Sequence, residues 1–201
     1  MAIKAAETAQ AGRSESLNVR GIDHLALNTD DMAATVAFYC GVLGLRLIHA
    51  MRTPAAASGK PSAGEPPFEK LRHYFFDMGN DSTIAFFEYP EGTAKADRDL
   101  LGTMQHCAFH VSRRDFQAAM HRLKAAGIPY VGPINRVIRH SIYFYDNNGI
   151  RLELTTFPGT EDFETVNTVL QTREQARKEL ATLYTDADEL EHVLNGMRLR
   201  D

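Results

Sequence analysis

Two histidines and a glutamate recur at matched points of a duplicated segment, and residues of those types in that register could hold a divalent cation. The stretch GIDHLALNTDDMAATVAFYCGVLGL, starting at Gly21, is echoed by TMQHCAFHVSRRDFQAAMHRLKAAGI, starting at Thr103, so His24 and His106 coincide 82 residues apart. Further on, DSTIAFFEYP ending at Pro90 lies without a gap on GIRLELTTFP ending at Pro158, which sets Glu153 opposite Ala85. An unpaired imidazole or carboxylate on a buried face costs roughly 1–3 kcal/mol, and more when charged. A single cation satisfies all three groups. Two neutral imidazoles and one carboxylate on one side of an ion leave its other side open, the donor set of non-haem Fe(II) oxygen chemistry, and Mn, Co, Ni and Zn accept the same donors. A lone histidine on a strand is more often a hydrogen-bonded structural residue; the repeated registration tips the reading toward a metal.

Strands must position these groups. From Gly21 to Asn28 the residues alternate so that Ile22, His24, Ala26 and Asn28 share one face, while Leu25 and Leu27 face the other and need a helix over them. That helix follows, with Asp30 as its expected N-cap, Met32, Val36, Tyr39, Cys40 and Leu43 on one stripe, and Gly44 as its left-handed stop. Apolar runs at Leu45 to Ala50, His73 to Asp77 and Thr83 to Glu88 complete the unit, interrupted by the loop-like RTPAAASGKPSAGEPPFEK. The second half repeats the order: a strand from Met104 to Val111, a helix opened by Ser112 and Asp115 and closed by Gly127, then strands near Tyr130, at Ile142 to Tyr145 and at Ile150 to Thr156, the last two joined by DNNG. Each half reads as β-α-β-β-β. In the second, His106 shares a face with Ala108 and His110, and Glu153 with Arg151 and Thr155. Glu88 is a further candidate ligand, but it pairs with Thr156 in the repeat and strand parity turns it away, unless a one-residue bulge intervenes.

The expected fold class is therefore α+β, two tandem βαβββ modules forming a cup-shaped mixed sheet, with a helical C-terminal extension. Residues 1–18 read as a disordered arm, 19–158 as the paired modules (about 19–92 and 103–158), and 159–201 as one or two amphipathic helices carrying Val166, Leu170, Leu180, Leu183, Leu190 and Val193. Those helices either cover their own domain or clasp a second subunit, as in a homodimer.

Composition bounds the partners. With 44% hydrophobic residues in 201 and a net charge of −4 without a basic stripe, the chain can bury a normal core and offers nothing to nucleic acid. No run reaches the length of a membrane span, the first residues lack the apolar centre of a secretory signal, and the two cysteines, Cys40 and Cys107, form no framework. The expectation is a cytoplasmic protein that binds small molecules.

On IDHLAL, MQHCAFHV and YFYDNNGIRLEL, the stretch from about Val19 to Pro158 resembles the vicinal oxygen chelate superfamily, which includes glyoxalase I, extradiol ring-cleavage dioxygenases, fosfomycin-resistance enzymes and methylmalonyl-CoA epimerase. The resemblance implies paired modules around a divalent metal. It also implies the ligand set of the extradiol enzymes, carried here by His24, His106 and Glu153, since the fourth ligand of the glyoxalase I type would fall at Ala85. IYFYDNNGIRLE is similar to the extradiol signature, with Tyr143 at its Tyr and Asn147 replacing its Pro. Where extradiol enzymes carry an acid-base His, Ser82 stands, and the second family His is also missing, although His140 lies nearby. Proton transfer then falls to His73, His140 or Tyr143.

The leading expectation is an Fe(II)-dependent extradiol-type dioxygenase taking O2 and a catechol-like substrate with adjacent oxygens, Tyr143 hydrogen-bonding a substrate oxygen and Phe75, Phe86, Phe109 and Tyr145 lining an aromatic wall. The alternatives are a glyoxalase-like lyase, isomerase or transferase with Glu88 as base, and a metal-free drug-sequestering protein.

Overall fold

The computed structural model describes residues 21–52, 71–136, 139–157 and 170–200. The N-terminal arm, the loop from residue 53 to 70 and the start of the C-terminal extension, with Val166, lie outside them. The chain divides into two compact units, Met1–Lys95 and Ala96–Asp201.

In the first unit, β1 (His24–Thr29) leads into α1 (Met32–Val36), followed by β2 (Arg46–Arg52), β3 (Arg72–Asp77) and β4 (Thr83–Glu88). The sheet order is β1-β4-β3-β2, with β1 and β4 parallel and the other pairs antiparallel. The N-cap is Asp31 rather than Asp30, its carboxylate accepting from the Ala34 N–H at 2.8 Å. After Val36 the helix widens into π turns over Ala37–Val42. Such a turn takes in an extra residue and rotates the helix face, and here the adjacent rings of Phe38 and Tyr39 both turn into the core. Gly44, at φ 79°, ends the helix as the sequence predicts. Tyr39 packs between Phe76 and Phe86, with ring centroids 5.5 and 4.9 Å away. Burying each such ring stabilises the unit by about 1.5–3 kcal/mol.

The second unit repeats the plan with β5 (Cys107–His110), α2 (Arg113–Ala125), β6 (Tyr130–Asn135), β7 (His140–Tyr145) and β8 (Arg151–Thr156), ordered β5-β8-β7-β6. Ser112 caps α2 by accepting from the Asp115 N–H at 3.1 Å, and Gly127 at φ 69° lets the Ile128 N–H reach the Leu123 carbonyl at 2.9 Å. Phe116 and Leu123 of α2, with Ile142, Phe144, Leu152 and Leu154 of the sheet, are buried and form the core. The fold is the expected α+β pair of βαβββ modules. Phe86 and Phe109 fall on the core side of their sheets, by the register below, and so leave the aromatic wall the sequence suggests.

Two helices follow, α3 (Arg173–Leu180), opened by a capping box between Thr172 and Gln175, and α4 (Ala187–Gly196). Their apolar stripes close on each other: Ala176, Leu190 and Leu194 are buried against Leu180, Tyr184, Met197 and Leu199. Arg173 and Arg177 both pair with Glu191 across the hairpin, and hold its carboxyl below the usual range. Among the described residues, no helix is long and apolar enough to cross a membrane.

Candidate metal centre

Strand register decides which side chains can meet. In the second sheet, Ala108 of β5 and Tyr143 of β7 are both Cα partners of Glu153 on β8. Residues in register share a face, so Glu153, Tyr143 and Ala108 stand side by side, with Arg151 and Thr155 on the same face of β8. His106 sits one residue ahead of β5, two from Ala108, whose methyl leaves the space above it open. The result is a direct contact, His106 Nε2 to Glu153 Oε2 at 3.0 Å. The carboxylate is buried, its side chain only 8% exposed. The His106 ring stands edge-on to Tyr143 at 5.9 Å between centroids, and the Arg151 guanidinium lies over the Tyr143 ring at 4.6 Å.

The first sheet repeats this register. Ala26 of β1 and Phe75 of β3 are partners of Ala85 on β4, so Ala85 takes the position of Glu153, and Phe75 that of Tyr143. His24 shares that face, 6.0 Å from the Phe75 ring. His49 and His73 join it, at 5.7 and 4.3 Å from the same ring, and His73 stacks on Phe87 at 3.7 Å. Burial above all, then the neighbouring His24 and His49, push the His73 imidazolium below its ordinary pKa, and its Nε2 is buried without a hydrogen-bond partner.

Each repeated histidine is oriented by the residue before it. Asp23 Oδ1 holds His24 Nδ1 at 2.5 Å, and Gln105 Oε1 holds His106 Nδ1. A ligating imidazole is ordinarily fixed this way through its other nitrogen. The sequence reading missed these partners, though Asp23 and Gln105 stand 82 residues apart like the histidines they serve.

The donors fit a divalent ion. Bonds of about 2.0–2.2 Å to nitrogen and oxygen place two ligands at right angles about 3 Å apart, which is the His106–Glu153 separation. Within the second unit the structure thus brings together His106, Glu153 and Tyr143. His24 belongs to the first unit, and among the described residues no three His, Cys, Asp or Glu side chains form one cluster. His140 departs from the expectation. Two strand steps from Ile142 and three from Tyr143, it lies on the sheet face away from Glu153, where it lines a cavity of about 170 Å³ with Arg113, Phe116 and Met120 of α2. Glu88 also faces away, because β4 pairs with β3 without a bulge; its carboxylate accepts from the Met32 N–H at 3.1 Å and pairs with Arg72. Ser82 Oγ donates to the Ile22 carbonyl at 2.8 Å, tying β4 to the entry of β1.

A duplicated βαβββ unit with a His–Glu contact on one sheet face defines a fold class rather than one reaction. The chain belongs to the Glyoxalase/Bleomycin resistance protein/Dioxygenase superfamily, whose family model matches residues 21–154. It is similar to an iron-dependent extradiol dioxygenase of Rhodococcus jostii (strain RHA1), 43% identical over 71 residues that make up 35% of this chain and 23% of the relative. Among solved structures it is similar to a glyoxalase/dioxygenase from Nostoc punctiforme, at 25% identity and TM-score 0.55 over 75% of this chain and 99% of that one. A glyoxylase/bleomycin resistance protein/dioxygenase domain from Frankia sp. EAN1pec shares the fold, at 19% identity and TM-score 0.57 over 71% of this chain and 96% of that one.

Proposed function

We propose that this protein is a divalent-metal-dependent enzyme, with Fe(II) the favoured ion, that cleaves an aromatic substrate bearing two adjacent oxygens with O2 in the extradiol manner. The observation that carries the reading is the 3.0 Å contact between His106 and the buried Glu153 beside Tyr143. The 43% identity to an iron-dependent extradiol dioxygenase over 71 residues supports the choice of reaction. His106 and Glu153 would hold the ion, and His24 is the third ligand we propose. When bound, the metal would supply an electrophilic centre that draws substrate oxygens and O2 together.

The protein's own part is binding, orientation and proton handling. Asp23 and Gln105, at Nδ1, keep the two imidazoles turned so that Nε2 would serve as the ligating atom. Tyr143, one strand away from Glu153, would donate its hydroxyl proton to a substrate oxygen and fix the ring's orientation. With Ser82 engaged by Ile22 and His140 on the other face, proton transfer falls to His73. Its depressed pKa keeps the imidazole neutral at pH 7, ready to accept a proton from a substrate hydroxyl. The glyoxalase-like alternative loses its base, since Glu88 is spent on Arg72 and the start of α1. The substrate is a small molecule, and we place the enzyme in the cytoplasm.

The test is anaerobic loading with Fe(II), then addition of catechols with O2 monitored by electrode and product by absorbance. Stoichiometric O2 uptake with a yellow ring-opened product is expected. A fully iron-loaded protein that consumes no O2 with any member of a broad diol panel would refute the dioxygenase.

A further inference from the structure

We infer that the substrate carries an anionic group, a carboxylate on the same aromatic framework as its adjacent oxygens, and that Arg151 is its anchor. The inference rests on the proposed metal site and names its substrate class. Arg151 opens β8 on the face of Glu153, two residues away, which on a strand is roughly 6.5 Å. That distance is comparable to the span from a chelating ring oxygen to a carboxyl group across the ring. The guanidinium is half-buried and lies 4.6 Å over the Tyr143 ring. Among the described residues no carboxylate lies in ion-pair range of it. Glu153, the nearest acid on its face, is engaged by His106.

A half-buried cation without a counter-charge is costly, and stacking on an aromatic ring offsets only about 0.5–2 kcal/mol of that cost. The rest is recovered when a planar anion meets the five fixed donors of the guanidinium, which match a carboxylate two at a time. Tyr143 stands between the two ends of such a substrate, its ring carrying Arg151 and its strand position facing Glu153. The row His106, Glu153, Tyr143, Arg151 thus reads as a ruler: metal-ligating end, hydroxyl donor, anion clamp.

The test compares equilibrium binding of 3,4-dihydroxyphenylacetate and 3,4-dihydroxybenzoate with 4-methylcatechol by calorimetry, on the full chain loaded with redox-inert Zn(II) and again on metal-free protein. The carboxylated diols should bind about 10- to 100-fold more tightly than 4-methylcatechol, as expected for a charge-assisted bidentate pair. Arg151→Gln should bring that ratio to near 1, and Arg151→Lys should restore part of it, since the charge returns without the fork. Equal affinities in the unmodified protein, or a ratio unmoved by Arg151→Gln in a protein with native circular dichroism, would overturn the inference. Because the readout is a ratio of binding constants, it is separable from the reaction. Loss of the ratio with O2 uptake intact sinks only the anchor, and an Arg151-dependent ratio without O2 uptake from any diol sinks only the dioxygenase.

Discussion

Glu153 and Ala85 occupy the same register position in two copies of one sheet, each the parallel partner of an alanine, Ala108 and Ala26 respectively. One copy carries a carboxylate and the other a methyl group, so at this register only the second sheet offers a metal donor.

Removing either member of the contact should therefore empty the site. His106→Ala and Glu153→Gln should each lower affinity for Fe(II) or Zn(II) by more than about 100-fold, read as metal content after loading and desalting. His106, exposed just ahead of β5, contributes little to the core, so His106→Ala should keep its native circular dichroism. One equivalent of tightly held metal in both variants would show the ligand assignment to be wrong.

The residues that steady the imidazoles should matter less, but measurably. Asp23→Ala and Gln105→Ala should each weaken metal binding about 10- to 100-fold while leaving the stoichiometry at one. Competition with a chromogenic chelator gives the constants, and unchanged constants would make the Nδ1 contacts incidental.

Glu88 should behave as a structural residue. Glu88→Gln removes the Arg72 pair and weakens the hydrogen bond to the Met32 N–H, so melting should fall by about 2–4 °C with no change in bound metal. Loss of metal with an unchanged melting temperature would contradict its placement.

Acid should destabilise the fold through two half-buried imidazoles. Burial lowers the pKa of His73 and of His110, aided by His24 and His49 at the first and by Arg139 at the second. Between those depressed values and about 6.5 the unfolded chain binds more protons than the native one, so stability rises with pH across that window. It is fully present above the unfolded value and is lost as pH falls through the native ones. Urea midpoints for metal-free protein should accordingly be lower near pH 5 than near pH 7.5, and His73→Gln should flatten part of the slope. A flat profile would argue against neutral histidines at these two positions.

The C-terminal hairpin should unfold on its own. Leu194 is 1% exposed in a small cluster, and Leu194→Ala, at about 2–5 kcal/mol, should exceed what that cluster can sustain. Amide exchange should then accelerate throughout α3 and α4 while β8 stays protected. Uniform loss of protection would mean that the hairpin and the sheet fold as one unit.

The internal repeat, the alternation of strands and the helix caps made two βαβββ modules legible from sequence, because burial on one sheet face imposes a period of two and a helix imposes one near 3.6. The same parity argument turned Glu88 from the site, whereas only the β5–β8 register put Glu153 on the face of Ala108 beside His106. Applied to β7, the same alternation sets His140, three residues from Tyr143 in an unbroken register, on the opposite face, a step the sequence reading did not take. Nor did sequence single out Arg151. A cation two residues from a carboxylate ordinarily reads as its partner, and only the packed sheet shows that His106 has already claimed Glu153, leaving the guanidinium over Tyr143 for something else to meet.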